Sequence, residues 1–184
     1  EFGFVLPMVK VADDLSLPGN AYQIRISGVL VGEDSAWPNE LLALDSGDVL
    51  EGVTGRAVKD PSFGLDALWI AQADRTDAVA AGYTVVDPAT VIATHLNQLA
   101  TASAAELFGM DDAQALIDNL KESYPQLAGG LTPAPYSLAA ITALCRALLT
   151  ERVPLRDFRR VAEAMVDLEH RNLDATELVE AVRQ

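Results

Sequence analysis

The sequence predicts an α+β protein: a small mixed α/β lobe carrying an inserted small α+β subdomain, followed by an all-α helical subdomain. Three observations predict it. Residues 21–27 alternate apolar and polar side chains, as a half-buried strand does. Residues 40–80 hold short apolar runs broken by Gly47, Gly52, Gly55, Pro61 and Gly64. That turn density marks a small lobe inserted between the early strands and the stretch at 82–96. From Pro88 onward the apolar residues recur at helical spacing.

In chain order, residues 8–12 after Pro7 are expected to form a short strand, and 13–20, with Pro18-Gly19-Asn20, a loop. In 21–27, Tyr22, Ile24 and Ile26 share one face, and Gln23, Arg25 and Ser27 the other. Gly28 interrupts the run, and residues 29–31 are expected to continue the strand past a kink or bulge. Trp37-Pro38 closes this stretch. Inside the insertion, 41–44 and 65–70 are expected as strands, with a short helix over 72–80 ending at Gly82.

Residues 82–96 form the junction from which the other pieces hang. Tyr83 to Val86 is a run of β-formers behind a glycine. Asp87 can accept from the free N–H groups of the next turn, and Pro88 has φ preset for a first helical position. Val86 and Val91 stand where a hydrophobic staple would form. The helix begun at Pro88 is expected to reach about Leu107, with Gly109 as its stop.

Beyond it, 111–122 is a second helix ended near Tyr124-Pro125, and 129–135 a Gly- and Pro-rich loop. Ser137 can cap a third helix with Leu138, Ile141, Leu144 and Leu148 in one stripe. Pro154 begins a fourth, with Leu155, Phe158, Val161 and Met165 inward. Asp174 can cap a last helix that turns Leu178, Val179 and Val182 inward. Four amphipathic helices on short connections make a helical lobe.

Composition narrows function. The chain has 184 residues, half of them hydrophobic and 22% charged, which suits a folded soluble protein. A formal charge of −14 argues against nucleic acid and against an anionic membrane surface. The single Cys145 excludes an internal disulfide, fits a reducing compartment, and lies beside an apolar stripe as a small core residue. No apolar run reaches the roughly 20 residues of a spanning helix. The chain opens without Met on Phe2, Phe4, Val5 and Leu6, and is expected to be cut from something longer.

His95 and His170 stand far apart without a Cys/His cluster, so no zinc site is expected. His95 falls at the edge of the apolar sector of Val91, Ile92, Leu96 and Leu99, and reads as a packed, hydrogen-bonded histidine. Neither Asp13-Asp14 nor Asp111-Asp112 makes an acid/base pair, since adjacent side chains diverge. Asp111 reads as helix-start chemistry. No phosphate loop, Gly-x-Ser-x-Gly elbow or EF-hand is present. No cofactor is expected.

Lys59-Asp60-Pro61-Ser62-Phe63-Gly64-Leu65 is a tight turn carrying a large aromatic side chain. Two uses stand side by side. Asp60 can satisfy turn backbone groups while Phe63 closes a small core, the commoner fate of an aromatic. Alternatively Phe63 lies exposed at a cleft and anchors a partner, with Asp60 giving orientation. Thr94, with Thr90, Asn97, Gln98 and Thr101, lies opposite the apolar sector of its helix, as a solvated face would.

Several strings occur together and in order: Gly3-Phe4-Val5-Leu6-Pro7, Asp13-Asp14-Leu15, Asn20-Ala21-Tyr22, the 59–65 turn, Leu68-Trp69-Ile70, Gly82-Tyr83-Thr84-Val85-Val86-Asp87 and Ala93-Thr94-His95-Leu96. With Val153-Pro154-Leu155-Arg156-Asp157 they resemble the cytoplasmic domain of the FlhA family of flagellar type III export gate proteins, over nearly the whole chain. The sibling family of virulence injectisomes is the nearest competitor.

The resemblance implies a membrane protein at the cytoplasmic face of the bacterial inner membrane, whose cytoplasmic part forms a nine-membered ring beneath the secretion pore. It implies a first subdomain at 1–38 and 88–107 that lacks its N-terminal part, an inserted second at 39–87, and a helical third at 108–184. It implies no enzyme and no cofactor. The implied activity is a docking platform for export chaperones bearing late substrates, alongside other export-apparatus proteins.

The family's central docking residues fall on Asp60, Phe63 and Thr94. Leu44, Leu50, Leu65 and Val91 are candidates for the apolar lining. Ser62 stands where a small apolar residue is common. The competing class is an enzymatic or small-molecule-binding domain using His95, Thr94 and Asp60, which requires a His95 reachable from solvent.

Overall fold

Ser27 and Gly28 both take positive φ, 51° and 83°, as the centre of a two-residue hairpin turn requires. The chain therefore reverses here. In the computed structural model, which describes residues 3–168 and 175–183, β1 (Ala21–Ile26) pairs antiparallel with β2 (Val29–Ser35). The expected continuation of one strand past Gly28 is corrected to a hairpin. An irregularity does exist, but it sits between Ile24 and Arg25. The strand expected at 8–12 is absent. Met8 and Val11 are almost fully exposed, and no ladder among the described residues reaches them. A strand depends on a partner for its hydrogen bonds, and local β-propensity does not supply one.

Residues 40–86 form a four-stranded antiparallel sheet in the order β4-β5-β3-β6, from β3 (Glu40–Leu44), β4 (Arg56–Lys59), β5 (Asp66–Ala71) and β6 (Thr84–Val86). β4 was not expected from the sequence, because Arg56-Ala57-Val58-Lys59 is too short and polar to stand out. A 3-10 turn (Gln72–Asp74) and α1 (Arg75–Ala80) return the chain to β6. The sheet is covered on both faces. On one, Leu41, Ala43, Ile70 and Ala78 pack together with Tyr83 and Val85. On the other, Leu42, Ala67, Trp69 and Val91 pack together with Tyr22, Leu44, Val58 and Val86. Alternate residues of β3 thus serve opposite cores, as the pleat demands.

α2 (Pro88–Ala102) starts as expected. Asp87 Oδ1 accepts from Thr90 N at 2.9 Å and Oδ2 from Thr90 Oγ1 at 2.9 Å. Val86 and Val91 meet in one apolar cluster. Near the middle of α2, His95 Nδ1 is 2.8 Å from the Tyr22 hydroxyl, tying the helix to β1. β2 comes equally near: a Cβ on Gly32 would stand 3.0 Å from His95 Nε2 and 2.5 Å from Leu99 Cδ1.

The chain divides into two units, Lys10–Thr101 and Glu1–Val9 with Ala102–Gln184. In the second, the helix expected to run unbroken to Leu107 is interrupted at Ser103 and resumes as α3 (Ala104–Leu107). α4 (Met110–Ser123) comes next, its Asp112 accepting from Gly109 N at 2.8 Å. The loop expected at 129–135 begins later: Pro125 opens α5 (Pro125–Leu131), which takes in 129–131, and residues 132–135 are turn. Ala128 and Leu131 are buried there, so packing outweighs the low helix propensity of Gly129-Gly130.

Ser137 Oγ caps α6 (Leu138–Thr150) through Ala140 N, as expected. Ile141, Leu144, Cys145 and Leu148 of α6 are core, as are Leu155, Phe158, Val161 and Met165 on and before α7 (Phe158–Leu168). Phe4 packs edge-on against Phe108, ring centroids 5.1 Å apart. Burial pushes the Cys145 thiol up to about 12, which leaves it an inert core residue. In α8 (Ala175–Arg183), Leu178 and Val179 are buried. Asp174 and His170 lie outside the described residues.

Two outcomes test this packing. Gly32→Ala must displace Leu99 or the His95 ring, and is expected to cost about 1–3 kcal/mol in urea unfolding. The Thr90 bonds hold Asp87 below the usual carboxylate range. Its stabilising effect is therefore full above the unfolded carboxylate pKa and is lost as pH falls through the depressed folded value. Asp87→Ala is expected to lower Tm at neutral pH and to flatten this acid-side loss.

Candidate functional site

The turn joining β4 to β5 is built around one carboxylate. Asp60 N donates to Leu65 O at 2.8 Å, closing the loop, and Gly64 N donates to Asp60 O at 2.9 Å. Gly64 takes φ +70°, which reverses the chain. Inside the loop Asp60 Oδ2 accepts from Phe63 N at 2.7 Å and from Ser62 N at 3.2 Å. Asp60 itself is buried. A buried carboxylate satisfied by backbone N–H groups fixes the turn with charge-assisted bonds.

This geometry meets one half of the first use of the turn and not the other. Asp60 does satisfy turn backbone groups, but Phe63 does not close a core: it is 65% exposed. Leu65, two residues on, is also exposed. Ser62 is buried, and among the described residues its Oγ has no hydrogen-bond partner.

Tyr22 joins β1 to the helix and lies within the field of the turn's carboxylate. The Tyr22 hydroxyl titrates well above its ordinary range, chiefly because of burial and then because of the nearby charges of Asp34 and Asp60. Asp60 is thus close to the hydroxyl that bonds His95. Thr94 precedes His95 on α2. It is half-buried, and its Oγ1 donates to Thr90 O at 2.7 Å. With its proton so placed, the Thr94 oxygen still has acceptor capacity for an incoming donor.

The remaining candidates separate by depth. Val91 is buried and Leu44 half-buried, both in the cluster of Leu42, Trp69 and Tyr22. They belong to the core of this unit and not to its exposed surface. Leu50 is 87% exposed in the connection after β3, where its N–H donates to Ala81 O at 2.9 Å. His95 is buried and bonded to Tyr22, so the condition for an enzymatic use, access from solvent, is not met. Sequence reasoning missed Tyr22 as the link between β1 and α2. Its place on the inner face of an alternating strand marked it as packed, but nothing local named His95 as its partner.

Among the described residues no group of three or more His, Cys, Asp or Glu side chains gathers as a metal site. Among them, too, no helix is long and apolar enough to cross a membrane.

Ser62 offers a test of the turn. Removing an unpartnered buried hydroxyl leaves no donor or acceptor unmet, so Ser62→Ala is expected to stabilise the chain by about 1 kcal/mol in denaturant unfolding.

Comparison with known proteins agrees with this architecture. The chain is 39% identical over 183 residues to the flagellar biosynthesis protein FlhA of Escherichia coli (strain K12); the match takes in all of this chain and 26% of that protein. It spans about a quarter of the length of such relatives. Two solved structures share the fold. The complex of Chlamydia pneumoniae CdsV and CdsO matches with TM-score 0.79 and 24% identity, over 93% of this chain and 49% of that one. The nonameric EPEC SctV-C matches with TM-score 0.70 and 19% identity, over 97% and 54%. The FHIPEP family model matches residues 1–184, and the chain belongs to the FHIPEP family.

Proposed function

We propose that this chain is part of a cytoplasmic docking platform of the flagellar type III protein export apparatus, at the inner-membrane face of the export gate. In this reading it binds export chaperones loaded with late substrates and passes those substrates toward the gate. The supporting observation is the exposed ring of Phe63 on a turn held by a buried carboxylate. An aromatic side chain presented to water on a rigid support has the form of an interface anchor, because little ordering entropy remains to be lost on binding.

The candidate residues take distinct roles. Phe63 is the anchor, and Leu65 and Leu50 extend its apolar contact. Leu44 and Val91 contribute from the core of the unit, not from its exposed surface. Thr94 accepts a hydrogen bond that sets register. Asp60 acts mainly from beneath, holding the Phe63 backbone. A partner helix laid across such a surface would present apolar side chains at i, i+3 and i+4 spacing.

The whole protein is proposed to work as a ring, a reading supported by the nonameric form of the structurally similar EPEC SctV-C. The subdomain division at 1–38 with 88–107, 39–87 and 108–184 is proposed on the same footing. Identity to FlhA favours the flagellar apparatus over the injectisome.

Phe63→Ala tests this directly. Against a purified late-substrate chaperone complex, the variant is expected to lose about 2 kcal/mol of binding, roughly a 30-fold rise in Kd, with unchanged circular dichroism. Unchanged affinity in a folded variant would refute the docking assignment.

A further inference from the structure

One end of the four-stranded sheet carries three exposed apolar side chains and several carboxylates. β5 begins there with Asp66, and β3 ends there, Asp45 N donating to Asp66 O at 2.9 Å. Leu44 pairs with both Ala67 and Thr84, so the 60–65 turn, the connection after β3 and the approach to β6 all lie at this end. That connection is tied to the approach to β6 by the bond from Leu50 N to Ala81 O. Phe63, Leu65 and Leu50 are exposed, as are Asp48, Glu51 and Asp66.

Cations here are already occupied. Lys59 Nζ lies 2.7 Å from Asp66. Arg56, further along the same hairpin, pairs with Glu40 at 3.4 Å and stacks over Trp37 at 4.2 Å. The apolar patch therefore has a rim of net negative charge with no free cation near it among the residues named.

We infer that the occupant of this patch is a polypeptide segment whose apolar anchors are flanked by Lys or Arg, drawn in by the Asp45, Asp48 and Glu51 rim. This rests on the docking reading above and specifies its partner's chemistry. Rim charges of this kind act on encounter more than on residence: they raise the association rate and fade with salt, whereas the desolvated anchor governs dissociation.

The experiment is stopped-flow association of the chain with a purified late-substrate chaperone complex, between about 0.1 M and 1 M salt. Over that range the screening length falls from roughly 10 to roughly 3 Å. Three chains are compared: the wild type, a rim variant (Asp45→Asn, Asp48→Asn, Glu51→Gln), and a variant that loses the same charge elsewhere (Asp13→Asn, Asp111→Asn, Glu122→Gln). The association rate of the wild type is expected to fall about tenfold, the rim variant to begin low and stay flat, and the third chain to behave as the wild type does. Dissociation is expected to change less than about twofold in all three.

A salt-independent wild type, or two variants that behave alike, would overturn the charge assignment and leave the docking surface standing. Failure of the wild type to bind, or binding that Phe63→Ala leaves untouched, would remove the docking surface and this inference with it.

Discussion

One buried carboxylate holds the candidate site in shape. Asp60 Oδ2 accepts from the backbone of both Ser62 and Phe63. Those bonds fix the backbone of the turn on which the Phe63 ring stands exposed. A large apolar ring left in water is unfavourable for the isolated chain. It persists because the loop that carries it is closed at both ends, by Asp60 N on Leu65 O and by the Lys59–Asp66 ion pair at 2.7 Å. The exposed ion pair adds little by itself. The buried carboxylate and its two N–H donors dominate.

The same carboxylate reaches the rest of the unit through electrostatics. Burial first, and then the carboxylate's charge together with that of Asp34, raise the titration of the Tyr22 hydroxyl above its ordinary range, and that hydroxyl is bonded to His95. His95 is in turn hemmed by Gly32 of β2. Hairpin and helix therefore meet at one partly buried polar link inside an apolar setting. Such a link favours a single arrangement over nearby alternatives, because a shifted register would leave a buried hydroxyl or imidazole unpaired.

Much of this fold could be read from local chemistry. The start of α2 was legible because Asp87, Pro88 and Thr90 are neighbours, and their capping needs nothing distant. The stripe of α6 and the inward residues of α7 were legible for a similar reason: one helical period separates core from surface. What failed depended on partners or on competing local signals. Gly28 both breaks a strand and turns a hairpin, and only the ladder to β2 distinguishes the two. Gly129-Gly130 argued for a loop, but burial of Ala128 and Leu131 overrode it. Residues 8–12 had strand composition and no strand to meet. At the site, the turn and its Asp60 bonds were foreseeable, whereas the exposure of Phe63 was not, since composition favours a buried aromatic. The resemblance in motif order, not the residue pattern, pointed to Phe63 and Thr94.

The central claim is that the Phe63 ring passes from water into apolar contact when a partner docks. A fluorine spectrum of the chain carrying 4-fluorophenylalanine at position 63, titrated with a chaperone–substrate complex, tests it most directly. The account predicts one resonance that moves or broadens along the binding curve and saturates with it. A resonance that stays fixed while another signal reports complete binding would contradict the account.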